Sequence, residues 1–151
     1  MSRFGRVVAV TLFAAAALAV PAQATAPQAQ TIEMAGHLTG PNTIAGTWAG
    51  AGFVDDAGTF TQTFRFAGET IHDEKVLVGS RGTIVIRVQA VVVWLSPCTA
   101  TFKAGSWQIV DGTGAYERLK GGGTPATVPG SFGDICTGAI EITHAGKSHD
   151  D

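Results

Sequence analysis

The sequence predicts a single all-β domain, and two observations support this class. After its first 30 residues the chain breaks into short runs bounded by Gly, Pro and Asp, with almost no helical periodicity. Several runs also alternate apolar and polar residues, and the clearest is 58–66, where Phe60 and Phe64 share one face and Thr61 and Arg65 the other. Short antiparallel runs of this kind form either a closed barrel or a sandwich, and periodicity alone leaves both open.

Turn residues divide this domain into eight strands. The predicted strands are 32–38, 43–54, 58–66, 69–78, 82–95, 99–110, 124–128 and 135–144. Gly46, Gly50 and Gly52 inside the second strand indicate a bend, a bulge or a close backbone approach. Pro125 and Pro129 restrict the seventh strand to edge-like pairing. The domain is thus expected over 31–145, with a disordered linker at 25–30 and a disordered polar tail at 146–151.

The N-terminal segment 1–24 has the features of a cleaved signal peptide. Arg3 and Arg6 precede an uncharged apolar run, and Ala22-Gln23-Ala24 supplies the small residues that signal peptidase requires. The apolar run of about 14 residues is shorter than the roughly 20 that span a bilayer, so no membrane span is expected. The sequence therefore predicts export to the periplasm, cell envelope or exterior, with a mature chain that begins at Thr25.

Charge limits the partners of this mature chain. The full sequence has ten Lys and Arg against twelve Asp and Glu, so removal of Arg3 and Arg6 leaves eight against twelve, a net charge of −4. Nucleic-acid binders concentrate Lys and Arg on one face, and an acidic chain does not favour that class. No nucleic-acid partner is therefore predicted.

Cys98 and Cys136 are the only cysteines, and both lie in the exported part. Thiols in an oxidising compartment usually pair, so a structural disulfide is predicted. The alternative is a reactive thiol, but no histidine lies near either cysteine in the sequence.

The fifth predicted strand, 82–95, differs from the others because both of its faces are apolar from Ala90 onward. A strand that is apolar on both faces needs a cover outside its own barrel. The cover is either a loop or tail of the same chain or a second subunit. The segment from Val91 to Trp94 thus predicts a homo-oligomer, a dimer or a trimer.

The segment 105–124 carries a resemblance to a known group. A strand containing Trp107 runs into Gly112-Thr113-Gly114, then the aromatic Tyr116 and the run Leu119-Lys120-Gly121-Gly122-Gly123. This pattern resembles small secreted bacterial proteins of the allene oxide cyclase barrel-like group, whose relatives include plant dirigent proteins and bacterial spirotetronate cyclases. The resemblance implies a single antiparallel eight-stranded β-barrel, whose interior holds side chains or one small ligand.

Six residues are candidates for binding a small apolar molecule. Arg87 and Gln89 share one face of the fifth strand and could place polar donors at the mouth of the barrel. Alternatively, Arg87 lies at the rim or pairs with a neighbouring carboxylate. The other four candidates are aromatic and would line the cavity, although core packing explains them equally well: Phe60, Phe64, Trp94 and Trp107.

Other chemistry finds little support in the sequence. His72-Asp73-Glu74 groups a histidine with two carboxylates, but on a strand Asp73 points away from both neighbours. No second segment supplies a spaced metal ligand, and Gly121 to Gly123 lack the Lys-Ser/Thr of a phosphate-binding loop. No metal, cofactor or nucleophile is therefore predicted.

Two classes of function remain open at this stage. The first is a secreted, non-catalytic barrel that holds a small apolar ligand or acts through its surface, and the residues favour it. The second is a cofactor-free cyclase or isomerase that shapes a reactive apolar substrate, as the resemblance implies.

Overall fold

The structure is a computed structural model that describes residues 24–125 and 136–151. The predicted signal peptide lies outside the described residues except for Ala24, as does part of the last two predicted strands. Eight strands and one short 3₁₀ helix make up the described chain. They are β1 (Gln28–Gly40), β2 (Thr43–Gly52), β3 (Ala57–Ala67), β4 (Thr70–Gly79), β5 (Thr83–Trp94), β6 (Ala100–Gly112), the 3₁₀ turn Gly114–Tyr116, β7 (Leu119–Pro125) and β8 (Ala139–Asp150).

The eight strands form one closed antiparallel barrel. Each strand pairs with its neighbours in sequence, and β8 returns to pair with β1, for example through Ile142 opposite Met34. Closure satisfies the backbone groups that an edge strand would leave unpaired. The predicted fold class, an eight-stranded β-barrel with one disulfide, is confirmed.

Both ends of the domain differ from the sequence expectation. Strand β1 begins at Gln28, inside the predicted linker, and β8 continues to Asp150, through most of the predicted tail. The reason is barrel closure: Gln28 lies opposite Ser148, and the backbone N–H of Thr25 donates to the carbonyl of Asp150 at 2.9 Å. Polar composition indicated frayed ends, whereas mutual pairing makes these residues part of the sheet.

Side chains from all eight strands fill the inside of the barrel. The aromatic members of this core include Trp48, Phe60, Phe102 and Trp107, packed with aliphatic side chains from every wall. Two register shifts along the β5–β6 ladder, at Val85/Ile86 and Val91/Val92, mark irregularities that bend the sheet as a bulge does. These irregularities let a sheet of long strands curve into a closed barrel.

Within residues 24–125 and 136–151, the ladder between β6 and β7 is the shortest. Only two residue pairs, Trp107 with Gly123 and Gln108 with Gly122, are in register there among the described residues. The disulfide between Cys98 and Cys136 joins the turn before β6 to the turn before β8, with Cα atoms 5.1 Å apart. It therefore links the two strands that flank β7.

Across residues 24–125 and 136–151, no helix has the length and apolar character needed to cross a membrane.

Candidate functional site

The structure separates the six predicted ligand-binding residues. Phe60 and Trp107 are buried in the core, and Phe64 is half-buried against it. Arg87 and Gln89 are exposed and lie on the outer face of β5, opposite in direction to the core residues that alternate with them. Trp94, at the end of β5, is 55% exposed.

The depressions found in the described surface lie outside the barrel wall. One of them measures about 690 Å³ and is lined by Phe64, Arg87 and Gln89 among others, so three of the six predicted residues line one depression. A second depression lies on the opposite strands, β8, β1 and β2, and contains Glu33 and Glu141. A third adjoins the first through Gln89 and Ser106.

The depression lined by Arg87 and Gln89 is built on a regular arrangement of outward-facing polar residues. The strand register places them in two rows across β3, β4, β5 and β6. We call this set the outer grid; its first row is Thr63, Glu74, Arg87 and Gln108, and its second row is Arg65, His72, Gln89 and Ser106. Four strands at about 4.8 Å spacing give the grid a length of about 14 Å across the sheet.

Most hydrogen-bonding groups of the outer grid face solvent. The Arg87 Nε donates to the Glu74 Oε2 at 2.9 Å, the carboxylate pairing that the sequence offered as one alternative for Arg87. Both side chains are exposed, so this ion pair contributes at most about 1 kcal/mol to stability. Within the described residues the side chains of Arg65, Gln89 and Gln108 make no hydrogen bond with the protein. Two arginines against one glutamate make the grid net positive on a chain that is acidic as a whole.

A second polar group lies inside the barrel, and none of its residues was predicted as a site residue. We call it the inner cluster: Gln62 on β3, Asp73 and Lys75 on β4, and His144 on β8. All four are buried, and Lys75 and His144 are completely inaccessible to solvent. The His144 ring stacks on Trp107 of β6, with ring centres 5.6 Å apart and planes inclined by 21°.

Asp73 is the acceptor at the centre of this cluster. It receives a hydrogen bond from the Gln62 Nε2 at 3.2 Å and forms a buried ion pair with the Lys75 Nζ. Two ring nitrogens of His144 and the Gln62 Oε1 are buried without a hydrogen-bond partner in the described part of the protein. The cluster is thus only partly satisfied by its own side chains.

Burial dominates the electrostatics of the inner cluster. Loss of solvent raises the pKa of Asp73 and lowers the pKa of Lys75, while their mutual attraction acts in the opposite direction on each. Burial also holds the pKa of His144 well below its ordinary value, and the charge of Lys75 lowers it further. His144 is therefore a neutral imidazole at neutral pH, with one N–H donor and one acceptor nitrogen.

A third polar group closes one end of the barrel. The Asp56 carboxylate accepts hydrogen bonds from the Tyr116 hydroxyl at 2.6 Å and the Ser80 hydroxyl at 2.7 Å. These bonds, with the Tyr116 bond first, hold the pKa of Asp56 well below its usual range. The Arg81 guanidinium lies 5.4 Å from the centre of the Tyr116 ring. This group joins the connections that precede β3, β5 and β7, so its role is structural.

The sequence contained a signal for the inner cluster that the analysis did not use. Asp73 and Lys75 alternate with His72 and Glu74, and they share the parity of the buried Ile71. Asp73 points away from His72 and Glu74, as the strand alternation predicted, and this direction leads into the barrel interior. Gln62 likewise lies between the inward-facing Phe60 and Phe64.

Comparisons with known proteins add no further constraint on this site. No family model, curated protein or solved structure matches the chain. The resemblance to the allene oxide cyclase barrel-like group stays a prediction.

Proposed function

We propose that this protein is an exported, non-catalytic binding module that recognises a polar, anionic partner through the outer grid. The observation that carries the proposal is the two-row array of outward-facing polar side chains, which is net positive on a chain of net charge −4 after removal of the leader. The core side chains occupy the barrel interior, and this favours the outer surface over the interior pocket that the sequence also allowed.

The chemistry of the grid favours an anion that carries many hydroxyl groups. Arg65 and Arg87 supply guanidinium donors that suit carboxylates, and Gln89 and Gln108 supply amides that both donate and accept. Ser106 adds a hydroxyl group on the outermost strand of the grid. An array about 14 Å long matches several units of an extended chain rather than one small molecule.

An acidic saccharide fits this surface better than an acidic peptide. Extended peptides are commonly recognised by addition to an open sheet edge, where main-chain hydrogen bonds supply the affinity. A closed barrel offers no such edge, so recognition depends on side chains alone. Side chains that present amides, guanidinium and hydroxyl groups can pair with both the carboxylates and the hydroxyls of a uronic-acid chain.

A titration with a defined probe tests this function. ¹⁵N-labelled residues 25–151, with the disulfide formed, are titrated with a uronic-acid oligomer while amide chemical shifts are recorded. We expect shifts concentrated on β3 to β6 at the grid, weakening as salt screens the charges. Arg65→Glu should weaken binding at least tenfold, because it reverses a charge that contacts the probe.

The matched control places the same change elsewhere. Arg118→Glu alters net charge equally, but Arg118 is exposed in the connection before β7, away from the grid. Equal weakening by both variants would show that only overall charge matters. Stronger binding of poly-L-glutamate than of the saccharide, or equal binding of a neutral saccharide of the same length, would also contradict the proposal.

A further inference from the structure

The inner cluster lies between opposite walls of the barrel. Gln62 and Lys75 face each other across the β3–β4 ladder, whereas His144 comes from β8. Strand register connects the two walls, because Trp107 of β6 lies opposite Val88 of β5 and Val88 lies opposite Asp73 of β4. The Trp107 ring in turn stacks on the ring of His144 from β8.

A hydrogen-bond account of the cluster leaves several groups without partners. Asp73 accepts from Gln62 and Lys75, but the Gln62 Oε1 and both His144 ring nitrogens are unpartnered among the described residues. The orientation of the Gln62 amide is fixed, because a flipped amide would direct its oxygen at the Asp73 carboxylate. A lysine ammonium also has three donors, and the bond to Asp73 uses one of them.

The unpartnered donors and acceptors of the inner cluster determine which kind of molecule could form hydrogen bonds with them. The free acceptors are the Gln62 Oε1 and one nitrogen of a neutral His144, and the free donors are the other His144 nitrogen and the ammonium of Lys75. Each buried polar group left without a partner destabilises the folded state, because it has lost its hydrogen bonds to solvent. A molecule that both donates and accepts, and is small enough for an interior crowded with side chains, relieves this cost on both walls at once. Water has these properties.

We propose that the barrel interior contains a closed binding site for water, in which a long-lived water molecule bridges His144 to the Gln62 and Lys75 side chains. The site is independent of the outer grid. In this site water completes the hydrogen bonding of a buried ion pair. It also supplies the hydrogen-bond partners that the other two side chains of the inner cluster lack.

Magnetic relaxation dispersion of water nuclei tests the site, because it counts water molecules that stay bound for longer than nanoseconds. We compare the mature protein with the double variant Gln62→Leu/His144→Phe, in which a phenyl ring replaces the imidazole against Trp107. The control is Gln108→Leu/His72→Phe, the same pair of substitutions on the outer grid. We expect the inner pair to remove the signal of at least one long-lived water molecule and the outer pair to remove none.

A second measurement needs no variant and covers the case in which the inner pair fails to fold. In ¹⁵N-labelled wild-type protein, a rotating-frame cross-peak between bound water and the His144 ring N–H is expected, while the outward-facing, half-buried His72 ring shows exchange alone. Absence of this cross-peak with a visible His144 ring proton would overturn the proposal. A dispersion amplitude unchanged by the inner pair, or an organic molecule retained in native mass spectrometry, would also overturn it.

Discussion

At the scale of single residues, the inner cluster contains a buried charge whose loss of solvent is offset by one specific partner. A lysine removed from water is strongly disfavoured unless a carboxylate lies beside it, and Asp73 supplies that partner. Each buried charge therefore stabilises the other, although two apolar residues of similar volume would fill the same space. Removal of one partner and removal of both should have very different consequences.

Two variants measure this difference. Lys75→Met leaves the Asp73 carboxyl buried without its cation, so we expect a loss of about 3 to 5 kcal/mol in the free energy of unfolding. Asp73→Leu/Lys75→Met removes both charges and should cost clearly less than the single change. Urea unfolding at pH 7 gives both values, and a double variant less stable than Lys75→Met would contradict this account.

His144 predicts a dependence of stability on pH. Its pKa is lower in the folded barrel than in the unfolded chain, where it is near 6.5, so the unfolded state takes up a proton first as pH falls. Stability contributed by neutral His144 is thus fully present above pH 6.5 and decreases as pH falls from there toward the folded pKa. The decrease amounts to about 1.4 kcal/mol for each pH unit within that window.

The variant His144→Phe should flatten this profile relative to wild type between pH 6.5 and 4.5. An aromatic ring still stacks on Trp107 in this variant, while the titrating nitrogens are removed. The exposed His37 on β1 provides the control, because His37→Phe removes a histidine without changing a buried one. Parallel pH profiles for wild type and His144→Phe would show that His144 does not carry the effect.

At the scale of strands, alternation predicted most of the barrel but not the direction of every face. The phenylalanine parity in β3 fixed its inner side correctly, because its other face is polar. In β5 both sides contain valines, so Arg87 and Gln89 could be assigned to one face but not to the inside or the outside. The register with β4 and β6, which depends on contacts distant in sequence, decided this question.

Local sequence patterns also failed to predict the chain ends and β7, because these segments become strands only through pairing with distant segments. The run Leu119–Pro125 contains three successive glycines and has no apolar alternation. It is a strand because β8 pairs with it along its whole length, from Leu119 opposite Asp150 to Pro125 opposite His144. Pairing between distant segments overrides weak β-propensity in such cases.

The glycines in β2 were predicted to mark a bend, a bulge or a close backbone approach, and Gly46 lies at a close approach. A Cβ atom at this position would overlap the Ala35 carbonyl oxygen and the Gly36 Cα of β1. Gly46→Ala should therefore force β1 and β2 apart and cost about 1 to 3 kcal/mol, as overpacking does. Gly40→Ala is the control, since its added methyl group meets the flexible Thr43 hydroxyl instead of backbone. Thermal unfolding that ranks the two variants equally would contradict this reason.

At the scale of the whole molecule, closure depends unequally on the eight ladders. Among the described residues, two register pairs between β6 and β7 contrast with ten between β1 and β8, so we expect the described barrel to open most easily at the former. Trp107 strengthens this region, because its Nε1 donates to the Ala145 carbonyl of β8 at 3.0 Å. The disulfide adds a covalent link between the strands on either side of β7.

The disulfide should consequently stabilise the whole chain and protect one region most. Cys98 and Cys136 are 38 residues apart, and closing a loop of this size in the unfolded chain corresponds to about 4 kcal/mol. We expect the double variant Cys98→Ser/Cys136→Ser to lose about 2 to 4 kcal/mol in urea unfolding.

Hydrogen exchange then locates the effect within the barrel. In the double serine variant, amides at the start of β6 and at the start of β8 should exchange faster than in wild type. The β1–β2 ladder, with its ten register pairs, serves as the internal control and should change least. A uniform increase across all strands would mean that the bond acts only through the unfolded chain. Selective loss at β6 and β8 would mean that it also holds the barrel closed where the ladder is shortest.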